Sequence, residues 1–271
     1  MVRVMVDRLE TSGGERYQVR AVVRALDLLG CFTPREPELS LVQLAERSGL
    51  SLSTVFRLAQ TLEGRGYVEQ DADTGRYRLG LSCLRLSETV IAQMDLRERL
   101  HPLLAELREE CRETVHLAVL DRQRMEVVYL DKLDGLLPIG MMSSRIGGRA
   151  PAHCTGVGKV LLAFAEPAKV LAFYRHHPPQ RFTPNTITDL DALLACLEEV
   201  RRRGYALDDV EHEADVKCIA VPVRSHTGAS VASISVSGPR ARMDGYLGQG
   251  GLARRMIERG ADASRRLGYR G

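Results

Sequence analysis

A chain of 271 residues with 44% hydrophobic and 27% charged side chains has the make-up of an ordinary globular protein of about two domains. No apolar run approaches the roughly 20 residues of a membrane span, and charges interrupt the opening MVRVMVDRLETSGGERY, so residues 1–16 read as a loose arm and not a signal peptide. The formal charge of +3 carries no argument for a polyanionic partner, because the first eighty residues hold 11 Arg, no Lys and 11 Asp plus Glu; any contact with nucleic acid rests on where those charges sit.

Residues Tyr17 to Leu29 show helical spacing through Val19, Val22, Val23, Leu26 and Leu29. CFTPREPEL, with two prolines, reads as a loop. Ser40 is a good N-cap for a helix over LVQLAERS, and Gly49 stands where a left-handed residue would end it. A further helix opens at Ser51 or Ser53, with Val55, Leu58 and Leu62 as its inward stripe. Ala45 is the small residue a close crossing of these two helices needs. Two β-prone pieces, Tyr67–Gln70 and Arg76–Leu79, flank DADTG and predict a hairpin. Three helices and a two-stranded wing make a winged helix-turn-helix over residues 17–80.

The outward face of the third helix lacks the Glu/Lys pairs of a solvated surface. Ser53, Thr54, Arg57, Gln60 and Thr61, with Ser51 at its start, are groups that suit base edges and phosphates in a major groove. Arg57 is the best single candidate for a base or phosphate contact. Arg76 and Arg78 on the wing, and Arg20 and Arg24 on the first helix, are candidates for backbone phosphates. A good bidentate base contact discriminates by about 1–3 kcal/mol, so two or three per half-site call for a dimer. The same helices would also suit a protein-binding module with a merely solvated face.

Ser82 to Met94 is helical, with Cys83, Ser87, Val90, Ile91 and Met94 along one side; it is core of its own module or a linker helix (81–95) that packs on its twin. Leu96 to Arg112 begins the second domain (96–271). TVHLAVL, RMEVVYL and IGMMSS are strand-like, TDLDALLACLEEVRRRGY is an amphipathic helix closed by Gly204, CIAVPVRSHTGASVASISVSG is two strands about a turn, and the tail from Leu252 is helical. Strands with segregated helices indicate an α+β fold with a largely antiparallel sheet.

HCTGVGKVLL fails as a phosphate-binding loop, since His153 stands where a glycine is needed and Val160 where Ser or Thr is needed. What remains is a helix start near Thr155, Gly156 and Val157 whose free N–H groups suit an anion. Gly156 and Gly158 allow close approach of either a ligand or another backbone. In SVASISVSG, Ser233, Ser235 and Ser237 share one face, which is a wet surface or the polar wall of a pocket. Asp209, Glu213 and Asp215 read as a solvated turn, while Asp208 and Cys218 abut strands and could face inward. His153, Cys154, Asp208, His212 and Cys218 match no compact zinc spacing, so no metal and no cofactor is expected. Nothing identifies a base or oxyanion hole for a Cys154–His nucleophilic pair. The six cysteines are scattered and fit a reduced, cytoplasmic protein.

VRAVVRALDLL, SLVQLAERSGLSLSTVFRLAQTLEGRGYV with DTGRYRLG, and GGRAPAHCTGVGKVLLA resemble the IclR family of bacterial transcriptional regulators, and so, most specifically, does Gly204-x3-Asp208-x2-Glu211-x6-Cys218-Ile219-Ala220. Arg224-Ser225 depart from the aromatic and Asp/Asn that usually end that signature. The resemblance implies a winged helix-turn-helix, a linker helix and a GAF-like effector domain. It also implies a regulator, repressor or activator, that binds a palindromic double-stranded operator as a homodimer or dimer of dimers. A small metabolite, commonly a carboxylic acid, would be its effector. Carried over residue by residue, it places the effector pocket at Gly156, Val157, Asp208, Cys218, Ser235 and Ser237, with Ile139, Met142 and Ala150 as apolar wall. The alternatives are an enzyme acting on a small organic acid, with the N-terminal module used for assembly, and a protein-interaction scaffold.

Overall fold

The computed structural model describes residues 18–86, 96–136, 142–248 and 251–270. The chain divides into two compact units, Met1–Gln93 and Met94–Gly271.

In the first unit, α1 (Arg20–Leu29) is followed by a short strand β1 (Glu38–Leu39), α2 (Leu41–Ser48), α3 (Leu52–Glu63) and a hairpin of β2 (Val68–Gln70) and β3 (Tyr77–Leu79). The strands pair antiparallel in the order β1-β3-β2, so the wing has a third strand that two residues of sequence could not announce. Local chemistry fixes the helix ends. The Ser40 hydroxyl accepts the Gln43 N–H while the Gln43 side chain accepts the Ser40 N–H, which satisfies two orphan donors at once. Gly49, at φ 67°, closes α2 in the left-handed region. Ser51, not Ser53, opens α3 by accepting the Thr54 N–H. Leu28, Leu39, Leu44, Val55, Ala59, Val68 and Tyr77 are buried together. Each large apolar side chain so placed contributes roughly 1.5–3 kcal/mol, and the unit has a core of its own.

The first helix departs from its reading. Val19 is its N-cap rather than part of it, and Val19, Val22, Val23 and Leu26 are exposed while Leu28 carries the packing. Of the linker helix, residues 82–86 are helical and 87–95 lie outside the described residues, as does the N-terminal arm, residues 1–16.

The second unit runs α4 (Leu96–Cys111), β4 (Thr114–Asp121), β5 (Glu126–Leu133), β6 (Arg149–Pro151), α5 (Gly156–Ala163), α6 (Pro167–His176), α7 (Leu190–Arg203), β7 (Ala206–Asp209), β8 (Val216–Arg224), β9 (Ser230–Pro239), α8 (Arg240–Gly248) and α9 (Gly251–Arg266). Its six strands form one antiparallel sheet in the order β6-β5-β4-β9-β8-β7. One face carries Val115, Leu117, Ile219, Val221, Ile234 and Val236 against α4 and α9. The other packs Ala118, Val127, Tyr129, Ala206 and Ala220 against α5, α6 and α7. The strand expected over IGMMSS is not seen in its described part, since residues 142–146 are irregular and 137–141 lie outside the described residues. A sheet with helices on both faces gives the α+β fold its two cores and leaves the β9 serines on the α5 side.

Candidate functional site

Register brings the polar residues of the sheet together. Asp208 pairs with Cys218 and Cys218 with Ser237, while Ala220 pairs with Ser235 and Ser235 with His116. Directly paired residues share a face, so two rows of polar groups cross β7, β8, β9 and β4 on the side of α5. Asp208, Cys218, Ser235, Ser237 and His116 line a cavity of about 390 Å³, counting the part open to solvent, which Tyr129, Met142, Ser144, Thr155, Gly156, Val157, His212, Glu213 and Val216 complete. Among the described residues its lining contains no Lys or Arg.

α5 meets this cavity with its N-terminus. The Thr155 hydroxyl accepts the Gly158 N–H and donates to the Pro151 carbonyl. No acceptor among the described residues takes the N–H of Gly156 or Val157. Two free amides at the positive end of a helix suit an anion. The glycines serve packing as well: a Cβ on Gly158 would lie 2.3 Å from the Ala152 carbonyl oxygen, and one on Gly156 2.9 Å from Cys218 Sγ.

Burial sets the protonation of the wall. His116 Nε2 lies 2.9 Å from Ser144 Oγ, and Nδ1 lies 3.4 Å from Ser235 Oγ and 3.5 Å from Ser237 Oγ. Loss of water, helped by the Lys132 charge, pushes this imidazole down to about 3, so it stands neutral among hydroxyls. Burial pushes the Asp208 carboxyl up to about 7, against the opposing pull of the Glu211 N–H it accepts and of Lys159. The Cys218 thiol rises to about 12 through burial and the Asp208 charge. Burial raises the Cys154 thiol as well, so neither is a ready thiolate. His212 is pushed down by burial. Next to Asp208, which accepts the Glu211 N–H, Lys159 on α5 pairs with Glu211 in an almost fully buried ion pair.

Of the residues placed here from sequence, Met142, Gly156, Val157, Asp208, Cys218, Ser235 and Ser237 line the cavity. Ala150 does not: it belongs to the core between β6 and α5. Ile139 lies outside the described residues. Glu213, read as a solvated turn residue, lines the cavity and accepts the Ser143 N–H at 3.1 Å. From sequence, Thr155 belongs to the anion-binding helix start and His212 is weighed only among metal ligands, while His116, Tyr129, Ser144 and Val216 were not anticipated; a histidine inside the apolar run TVHLAVL was the one available signal. Ser233 is not part of the wall, since its hydroxyl donates to the Val221 carbonyl. Among the described residues no three His, Cys, Asp or Glu groups gather as a metal site.

On α3, Ser53, Arg57, Gln60 and Thr61 face solvent and Thr54 is half-buried. Several of these groups already have partners. Ser51 Oγ lies 3.2 Å from Ser53 Oγ and 2.9 Å from Thr54 Oγ1, Thr61 donates to the Arg57 carbonyl, and Gln60 donates to Glu63. Arg76 is a tie rather than a free cation: its guanidinium donates to the Glu38 carbonyl and to Gln43 Oε1, joining β3 to β1 and α2. Arg78 pairs with Glu69 across the hairpin. Arg20 and Arg24 stand exposed on α1.

A winged helix-turn-helix unit joined in one chain to an α+β unit with a polar-walled cavity defines the class of two-unit DNA-binding transcriptional regulators. Residues 21–72 match the IclR helix-turn-helix domain, and residues 88–259 match the C-terminal domain of bacterial IclR transcriptional regulators. The chain belongs to the IclR family. It is 36% identical to the HTH-type transcriptional regulator XynR of Escherichia coli K12, over 93% of this chain and 98% of that protein. It is 37% identical to KdgR of the same organism, over 89% and 88%. Among solved structures, a transcriptional regulator from Rhodococcus sp. RHA1 superposes with a TM-score of 0.78 at 29% identity, covering 93% of this chain and 99% of that one. An IclR homologue from Microbacterium hydrocarbonoxydans, solved in complex with 4-hydroxybenzoate, gives 0.76 at 28% identity, covering 91% and 97%. The protein is a DNA-binding transcriptional regulator and not an enzyme.

Proposed function

We propose that this regulator binds a palindromic operator as a dimer, or as a dimer of dimers, and that a small carboxylic acid in the cavity of the second unit changes its operator affinity. The observation that carries the effector reading is the cavity itself, where two unpaired amides of α5 face a wall of hydroxyls and a neutral imidazole. A carboxylate there takes its charge complement from the helix end, and Asp208, raised to about 7, donates to it in its protonated form rather than repelling it. α3 is the reading helix, with Arg57 as its free guanidinium. Arg20 and Arg24 are the phosphate ligands, Arg78 joins them by exchanging Glu69 for a phosphate, and Arg76 holds the wing.

The exposed stripe of Val22, Val23 and Leu26 on α1, continued by Val19 at its N-cap, supports the dimer. Its 3-4 spacing presents one continuous apolar row, which a second copy of the helix covers. Among the described residues no helix is long and apolar enough to cross a membrane, and the cytoplasm, where the operator lies, is the working compartment.

The test is to map protected DNA with and without a panel of aromatic and short-chain acids. Arg57→Ala is expected to weaken specific binding about tenfold or more, from the roughly 1–3 kcal/mol of a bidentate contact, while leaving the fold and acid binding intact. Ser235→Ala and Asp208→Ala are expected to do the reverse. Unchanged operator affinity in Arg57→Ala removes that residue from the interface, and full acid response in both pocket variants refutes the effector reading.

A further inference from the structure

The reading helix carries more apolar surface than polar recognition requires. Phe56 is 48% exposed and Leu52 49% exposed. They stand four residues apart, side by side on α3, and neither belongs to the core built around Val55 and Ala59. At about 100° per residue, Phe56 adjoins Ser53, Arg57 and Gln60, so a surface that receives Arg57 also receives the phenyl ring.

The hydroxyls and amide around it are largely committed elsewhere. Ser51, Ser53 and Thr54 are joined at the helix cap, Thr61 is turned back to the Arg57 carbonyl, and Gln60 reaches Glu63. Among the described residues, what α3 holds out unengaged is one guanidinium and one apolar pair. A major groove offers a single kind of apolar feature on its floor, the 5-methyl group of thymine.

We propose that Phe56, flanked by Leu52, reads a thymine methyl in each half-site, so that sequence preference is shared between Arg57 and an apolar contact. The proposal rests on α3 being the reading helix, and the experiment separates the two. Duplexes are selected from a random pool with the full-length protein, and each thymine of the selected operator is then replaced in turn by deoxyuridine. This removes the methyl and leaves base pairing and the O4 acceptor intact. At one thymine per half-site the wild-type affinity falls roughly fourfold, the factor that goes with removing one buried carbon from an apolar contact. Phe56→Ala binds the thymine and uracil operators alike, near the wild-type level for uracil, and Phe56→Leu retains part of the difference. Because Phe56 is outside the core, both variants fold.

Two results overturn the proposal while sparing the reading helix: no thymine is sensitive to loss of its methyl, or Phe56→Ala keeps the full sensitivity. Failure to enrich any sequence overturns the reading of α3 and this proposal with it.

Discussion

Replacing Lys159 by methionine tests how the segment that carries Asp208 and Glu211 is held. Only 2% of the Lys159 side chain and 7% of that of Glu211 are exposed, and the ammonium bonds one carboxylate oxygen. That oxygen also accepts the Asp209 N–H at 3.4 Å, while the other, Oε2, is buried with no partner among the described residues, so the Lys159 ammonium is the charge that balances this carboxylate. The Glu211 N–H in turn donates to Asp208, and the Thr183 and Thr186 hydroxyls donate to the Glu211 carbonyl. Removing one member of a buried pair costs about 3–5 kcal/mol, because the remaining charge is left in a medium that solvates it poorly. For a unit of 150–250 residues each kcal/mol moves the melting temperature by about 2–4 °C, which predicts a fall of roughly 6–20 °C in Lys159→Met. The double variant Lys159→Met, Glu211→Leu removes both charges and is expected to recover most of that loss. Scanning calorimetry of the full chain at pH 7.5, following the transition of the larger unit, reads both. A single variant within about 1 kcal/mol of wild type, or a double variant no better than the single one, refutes the reasoning.

Asp208 makes stability depend on pH with a definite sign. Its native value of about 7 lies above the ordinary 3.8, so the native state holds the proton more tightly than the unfolded chain. Its contribution is complete below about pH 4, is lost progressively up to pH 7 and is absent above. Wild type therefore loses stability relative to Asp208→Asn between pH 4.5 and 7.5 in chemical denaturation, and a constant difference between the two contradicts the assignment. His116, pushed down to about 3, acts with the opposite sign as pH falls below about 6.5, and cancels because both proteins carry it. Gly158→Ala must move the Ala152 backbone, whose carbonyl oxygen would lie 2.3 Å from the new Cβ; a loss of about 1–3 kcal/mol or more is expected in urea unfolding, and wild-type stability would show that this loop gives way freely. Ser51→Ala removes the cap of α3 and is expected to lower the stability of the N-terminal unit by about 1 kcal/mol, with no change in the larger unit's transition.

The parts of this fold that are local were readable in the residues. Ser40 with Gln43, Gly49, Gly204 and the DADTG hairpin each act over four or five residues, where propensity and capping decide. Alternation in β9 was equally plain, and it correctly separated Ala232, Ile234 and Val236 from the serines. Periodicity states which side of a helix is apolar and says nothing of what covers it, which is why the α1 stripe looked like core and lies exposed. The pocket needed register across four strands. Asp208, Cys218, Ser235 and Ser237 were placed together by family resemblance, whereas His116 could be found only once β4 was known to lie against β9. Ala150 failed because an apolar residue beside a cavity and one in the core behind it carry the same sequence signal. The Arg76 tie was hidden because a guanidinium bound to a carbonyl 38 residues away looks, in a sequence, like any other exposed arginine.

Regulation through the cavity requires that acid and duplex alter each other's binding by one and the same factor, since a coupling free energy belongs to both sites. The direct measurement is a pair of titrations: operator affinity with and without a saturating acid from the panel, and affinity for that acid with and without operator. Equal factors of about five or more, abolished together in Ser235→Ala, are the expected result. An acid that occupies the cavity, is displaced by Ser235→Ala, and leaves operator affinity unchanged would contradict it.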